Sequence, residues 1–356
     1  MRSDHAVSLE SFRLHSIGLQ DAEQVRLLLN GDSVLDWRQL AFRDRDQIDA
    51  FLRLVGFEPN DPTDAMRLME CQRRALDYLD CYFELDLRPI RAQRDVQDVL
   101  MLASRSGEHR AVACTVLKVM HVVHHVAGRE LLMRLPVATN ELFHRIETRV
   151  YRTIDGMKGA GIRLAEFAGS RKTADSILTK LLSRSDSLAA EVHDRLRFRV
   201  VTETMQDLFS AVVYLIRHLF PFNYVVPNES RNDLLDLAQT MAADPTLASI
   251  GTLLQAVRTD GSLRAKLNAF SGRGYQMINF VADIPVRVDD LVSRIPEYQA
   301  RDGAVVFLLT EFQLVDRETA ARNEVGANHH SLYKRRQHQR VLERVFEGEG
   351  QIRDDG

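Results

Sequence analysis

The sequence predicts an α+β protein, with an all-helical N-terminal domain over residues 1–155 and a second domain over 156–346 that mixes strands with helices. Three observations carry this. Apolar residues recur at three- and four-residue spacing through the first 155 positions, as one face of a helix requires. Gly156, Gly159 and Gly161 then interrupt that pattern. Beyond them the period drops to two in several segments, the spacing of a strand.

Taken in order, Gln47 to Val55 is amphipathic and stops at Gly56. Asp61-Pro62 reads as a helix cap with proline at the first helical position, and a long helix follows through Met66, Met69, Leu76 and Leu79. Helical patterns continue near 92–104, 109–133 and 139–155. After the glycines, Ile162–Phe167 alternates, Ser176–Leu182 is helical, and Leu196–Val201 alternates again. Thr204 opens a helix that Pro221 stops. Residues 231–268 read as helical, and a helical insertion is expected over 228–270. Two longer strands are expected, Tyr275–Val288 and Ala304–Val315, then a basic helix from about Asn328 to Phe346 and a disordered tail over 347–356.

Composition narrows the classes. Of 356 residues, 45% are hydrophobic and 27% charged, which excludes collagen-like, disordered and disulfide-scaffold chains. No apolar run of spanning length is seen, so no membrane association is expected. The first residues lack the apolar stretch of a secretory signal. Cys71, Cys81 and Cys114 form no CxxC pair and read as reduced, buried thiols of a cytoplasmic protein. The formal net charge is −3, so any phosphate-binding surface must be local. Only Lys118, Lys158, Lys172, Lys180, Lys266 and Lys334 are lysines in a chain that otherwise uses arginine, and two of them lie close together.

Five stretches bear chemistry. Lys172-Thr173-Ala174-Asp175-Ser176-Ile177-Leu178-Thr179-Lys180 places Ser176 and Lys180 one turn apart behind a helix start. That environment suits a polyphosphate, although a solvated helix start explains it as well. In His193–Val201, Asp194 stands at a strand mouth and Arg199 points to the face opposite Asp194, Leu196, Phe198 and Val200; an exposed strand face accounts for the arginines equally. Gly272-Arg273-Gly274-Tyr275 leads into a strand where Tyr275 stands ready to stack on a base, or simply turns. Glu311 and Gln313 share one face of an apolar strand, and a carboxylate there needs a metal or an arginine partner. Asp194 and Glu311 together suit a magnesium ion. Asn328–Arg336 is a basic helix start in which zinc binding by His329 and His330 lacks further ligands. His121, His124 and His125 lie on an apolar helix and read as core histidines.

The order of these stretches resembles the synthetase domain of the RelA/SpoT family. The match runs Lys172-x-x-x-Ser176-Ile177-x-x-Lys180, Asp194-x-Leu196-x-x-Arg199-Val200 with Thr204-x-x-Asp207, Gly274-Tyr275-Gln276, Glu311-x-Gln313, and Glu324-x-Gly326-x-x-x-His330-x-x-Tyr333-Lys334, over roughly residues 160–340. The first 150 residues do not resemble the hydrolase half of the long family members. The chain departs from the family pattern at Arg273, Asn279 and Ser170, and these departures fall more on the acceptor side than on the phosphate side.

The resemblance implies a nucleotidyltransferase-like mixed sheet flanked by helices. It also implies transfer of pyrophosphate from ATP to the ribose 3′-hydroxyl of GDP or GTP, releasing AMP. Alternatives within the family are tRNA or an adenine nucleotide as acceptor, and a non-catalytic member that senses a nucleotide. Lys172, Ser176, Lys180 and Arg199 would hold ATP. Asp194 and Glu311 would hold magnesium, with Glu311 as base. Tyr275, Gln276, Asn279, Gln313, His330 and Lys334 would surround the acceptor. Nucleotides and a second copy of the chain are the expected partners, with a local arginine patch at Arg335, Arg336 and Arg340 for tRNA.

Overall fold

The computed structural model of the protein describes residues 17–31, 40–183, 195–242, 247–250, 252, 275–324 and 330–345. Its first part is helical: α1 (Leu19–Asn30), α2 (Arg45–Leu54), α3 (Pro62–Tyr82), α4 (Arg88–Arg91), α5 (Val96–Ser104), α6 (Arg110–Arg134) and α7 (Thr139–Gly159). Local chemistry sets several starts. Asp44 caps α2 by accepting from the Gln47 N–H, and Asp95 caps α5 by accepting from that of Asp98. Asp61 accepts from the N–H groups of Thr63 and Asp64, with Pro62 in the first turn, as the sequence led us to expect.

The second part gives β1 (Leu164–Arg171), α8 (Ala174–Ser183), β2 (Leu196–Thr202), α9 (Met205–His218), β3 (Arg231–Asn232), α10 (Leu237–Ala242), β4 (Ile278–Arg287), α11 (Asp289–Val292), β5 (Val305–Asp316), α12 (Arg317–Asn323) and α13 (His330–Val345). The strands form one mixed sheet in the order β1-β2-β5-β4-β3, with β2 and β5 parallel and the other pairs antiparallel. The segment expected to be a helical insertion thus contributes an edge strand, because Arg231 and Asn232 pair with Asn279 and Ile278. The rest of that segment beyond α10 lies largely outside the described residues, as does the expected tail.

Two expectations are corrected. The helix does not break at Gly156; α7 runs on to Gly159, and the chain turns at Gly161 with φ +90°. Gly156 is there for close packing, since a Cβ would lie 2.7 Å from the hydroxyl of Tyr214 on α9. Cys81 is exposed, whereas Cys114 is buried and Cys71 partly so. The Cys71 thiol donates to the Met120 carbonyl at 3.2 Å, and burial pushes it up to about 12, which makes it an inert packing group.

The expected split at residue 155 does not divide the core. One buried cluster runs from Ala22 and Ile48 through Ile146 and Ile154 to Phe198, Phe280 and Phe312. On one sheet face Phe167, Phe198, Phe312 and Phe280 stack in sequence, with centroids 5.9, 5.7 and 5.4 Å apart. Tyr151 of α7 packs edge-on against Phe198, and α9 lies on β2 and β5.

On the other face, α6 covers the Phe307 end of β5. His125 stacks on Phe307 at 4.0 Å, and Gly128 lets the helix close, since a Cβ there would lie 2.5 Å from the Phe307 ring. Among the described residues α6 alone is long and apolar enough to cross a membrane. Here it is a core helix whose Cys114, Val116, Leu117, Met120 and Leu131 are buried.

The α6 histidines make stability depend on pH. Burial pushes His124 down to about 3, and burial together with the neighbouring imidazoles pushes His121 well below its ordinary value. The unfolded chain binds protons at these rings as pH falls through about 6.5, and the folded chain does not. Their contribution is therefore complete above that pH and is lost on acidification. The expected loss is roughly 2 kcal/mol per ring by pH 5. Asp86, lowered to about 2 by the Arg88 guanidinium, titrates below this window. Thermal melts from pH 7 to pH 5 test this: a falling Tm is expected, and His124→Gln should flatten part of the slope. A Tm unchanged over that range would contradict it.

Candidate functional site

Strand alternation gives the sheet two chemically different faces. Phe198, Phe280 and Phe312 take one. Arg197, Arg199, Asn279, Glu311 and Gln313 share the other, because the register sets Arg197 beside Glu311, Arg199 beside Gln313, and Asn279 beside Gln313. Glu311 is only 6% exposed. Its Oε2 accepts from Arg197 Nε at 2.7 Å. Its Oε1 accepts from Asn279 Nδ2 and from Gln313 Nε2, the latter at 3.0 Å. A buried carboxylate requires such company.

The other expected site residues within the described range lie on β2, just before β4, at the β1–α8 junction and on α13. Arg199 lies 3.8 Å from Glu324. Tyr275 and Gln276 precede β4, where α12 secures the backbone: the Gln276 N–H donates to Asn323 Oδ1 at 3.1 Å, and Asn323 Nδ2 donates to the Gln276 carbonyl at 2.7 Å. The Gln276 side chain donates to the Asp233 carbonyl at 3.0 Å, which makes it a brace for the β3–β4 edge.

Beyond β1, the Lys172 N–H donates to the Arg195 carbonyl at 2.9 Å. This places the start of α8 beside the start of β2. Thr173 Oγ1 accepts from the Ser176 N–H at 3.3 Å and donates to Ser176 Oγ at 3.0 Å, the arrangement of an N-cap. Ser176 is exposed; Lys172 and Lys180 are half-buried. The neighbouring Arg171 turns away and pairs with Glu147 of α7 at 2.6 Å. Helix α8 packs on α13, which carries exposed Lys334. His330 is the first residue of α13, and its side chain lies outside the described residues. So does Asp194, together with Arg273 and Gly274.

Arg197 was not singled out by the sequence reading, although it shares strand parity with Arg199 and sits on the same face. Asn323, 5% exposed, carried no motif at all.

The magnesium implied by the resemblance can be tested against Glu311. A divalent ion needs open carboxylate oxygens at about 2.1 Å. Both oxygens of Glu311 are already engaged, one of them by a guanidinium. Among the described residues no group of three or more His, Cys, Asp and Glu is arranged to hold a metal. As arranged, Glu311 does not fit a magnesium ligand.

No family model and no curated protein matches the chain. Solved structures that are similar include the small alarmone synthetase 1 from Bacillus subtilis, at 14% identity over 58% of this chain and 91% of that one, with a TM-score of 0.31. The small alarmone synthetase 2 from Bacillus subtilis follows at 13% identity, over 62% and 96%, with a TM-score of 0.29. A GTP pyrophosphokinase family protein from Streptococcus pneumoniae is 15% identical over 64% and 93%, with a TM-score of 0.27. At such scores these similarities carry no weight of their own, and the functional reading rests on the residues of this chain.

Proposed function

We propose that the polar face of the sheet binds nucleotides and transfers pyrophosphate from ATP to the ribose 3′-hydroxyl of a guanine nucleotide. The observation that carries this is the gathering of Arg197, Arg199, Asn279, Glu311 and Gln313 on one sheet face, next to the β1–α8 junction that bears Lys172, Ser176 and Lys180. Moving a diphosphate group depends on orienting two reactants and neutralising oxygens. Lysines and arginines at the edge of a sheet supply the charge. In the reaction the 3′-oxygen forms a bond to the β-phosphorus of ATP, the bond from that phosphorus to the α–β bridging oxygen breaks, and AMP leaves. In this reading Glu311 takes the hydroxyl proton, in competition with the donors its oxygens already accept from. Tyr275, half-buried before β4, supplies a ring for the acceptor base.

The engagement of Glu311 by Arg197 favours a second reading, in which the same face binds a nucleotide as a signal without transfer. The two Glu311 oxygens already accept three hydrogen bonds, for which a substrate hydroxyl must compete. Purified protein incubated with magnesium, β/γ-labelled ATP and, in turn, GDP, GTP, ADP and bulk tRNA separates the readings. Label in the guanine nucleotide is expected. Label in ADP or tRNA changes the acceptor, and binding without transfer supports the signal reading. Lys172→Ala is expected to weaken ATP binding roughly tenfold or more, the value of one charge-assisted contact. Absence of ATP binding in calorimetry would end both readings.

A further inference from the structure

We infer that Arg197 is the built-in counter-ion of Glu311, standing where a divalent cation would stand, so that this face takes a nucleoside polyphosphate with no divalent ion on Glu311. The inference deepens the nucleotide reading and rests on it for the identity of the ligand. The counter-ion itself rests on the geometry alone.

Parallel pairing of β2 with β5 fixes Arg197 directly beside Glu311, and no side-chain swing is needed for their contact. The carboxylate side chain is 8% exposed and the guanidinium side chain 30% exposed, so the cation lies on the solvent side of the acid. Asn279 and Gln313 present amide donors to the other oxygen. Together the three neighbours supply what a bound cation would: a full positive charge and occupied lone pairs. A guanidinium stays charged at every accessible pH and cannot be removed by a chelator. A metal approaching Glu311 must displace that charge and then share the site with it, which like-charge repulsion opposes. Phosphate oxygens arriving at this face meet Arg197 and Arg199, on the same side of one strand, as cations already in place.

The test uses the full chain and two probes. The first is Mn2+ binding, followed by electron paramagnetic resonance of the free ion. In the wild type, Glu311→Gln is expected to leave Mn2+ affinity unchanged, because Glu311 holds no ion. Arg197→Ala is expected to create or tighten a Mn2+ site by roughly tenfold or more, and adding Glu311→Gln should abolish that gain. Should Arg197→Ala fail to fold, Arg197→Gln, which keeps a donor to the acid, takes its place, and the wild-type comparison still decides. A roughly tenfold loss of Mn2+ affinity on Glu311→Gln in the presence of Arg197 would overturn the inference.

The second probe is ATP, titrated calorimetrically in EDTA and in magnesium. Whatever factor magnesium adds to the affinity is expected to be the same, within about threefold, in the wild type and in Glu311→Gln. A wild type whose magnesium-dependent gain is lost in Glu311→Gln overturns the inference and leaves the nucleotide reading standing. A wild type that binds ATP in neither solution removes the nucleotide reading and with it the polyphosphate half of the inference. The Mn2+ experiment then still judges the counter-ion.

Discussion

Phe312→Ala is expected to lower the unfolding free energy by about 3–5 kcal/mol, the cost of emptying a fully buried aromatic site. Phe312 is 0% exposed and lies between Phe198 at 5.7 Å and Phe280 at 5.4 Å, with Phe220 at 5.5 Å. It stands on β5 between Glu311 and Gln313, so its ring backs the strand that presents the polar face. Three strands and the segment after α9 meet at this ring. For a chain of this length the melting temperature should drop by roughly 5 °C. Phe312→Leu, which keeps most of the volume, should cost about half as much or less. Chemical denaturation of the two variants checks both numbers. A loss below about 1 kcal/mol for the alanine variant would mean that the aromatic row is not the centre of the core.

The parts legible in the sequence were those fixed by neighbours along the chain. Asp61-Pro62 announced α3, Thr204 announced α9, and the alternation of Leu196–Val201 announced β2, because caps and strand parity are local properties. Gly156 was misleading for the opposite reason. Its role is set by Tyr214, which reaches α7 only after the chain has crossed the sheet. The two residues of β3 sit in a helical-looking stretch and become a strand only through pairing with β4. The site divides in the same way. Glu311 and Gln313 stood out as polar positions in an apolar strand. Arg197 did not, because its contact with Glu311 spans 114 positions and exists only through the parallel register of β2 and β5. Parity alone placed Arg197 with Arg199, and that signal was open to use.

The second large effect concerns the joint between helices and sheet. Asp64, 1% exposed, sits in the first turn of α3. Its Oδ2 accepts from the Glu58 N–H at 2.7 Å, and its Oδ1 accepts from Arg67 Nη1 at 2.7 Å. Arg287, the last residue of β4, reaches Asp64 with Nη1, which also donates to the Gly56 carbonyl at 3.0 Å. Arg67 in turn donates to Asp289 at 3.0 Å and to the Tyr298 hydroxyl at 2.9 Å. One carboxylate thus gathers α3, the α2–α3 turn and the end of β4. Removing it leaves two guanidinium groups sharing the more exposed Asp289. Asp64→Ala is therefore expected to cost about 3 kcal/mol, the lower end for breaking a buried pair, since Asp289 compensates in part. The paired variant Asp64→Ala with Arg287→Met should recover a portion of that loss, roughly 1 kcal/mol or more, because the second substitution removes a charge the first left without its main partner. Denaturant titration of the single and double variants measures this coupling. Losses that simply add would show that Arg287 and Asp64 are near one another without depending on one another.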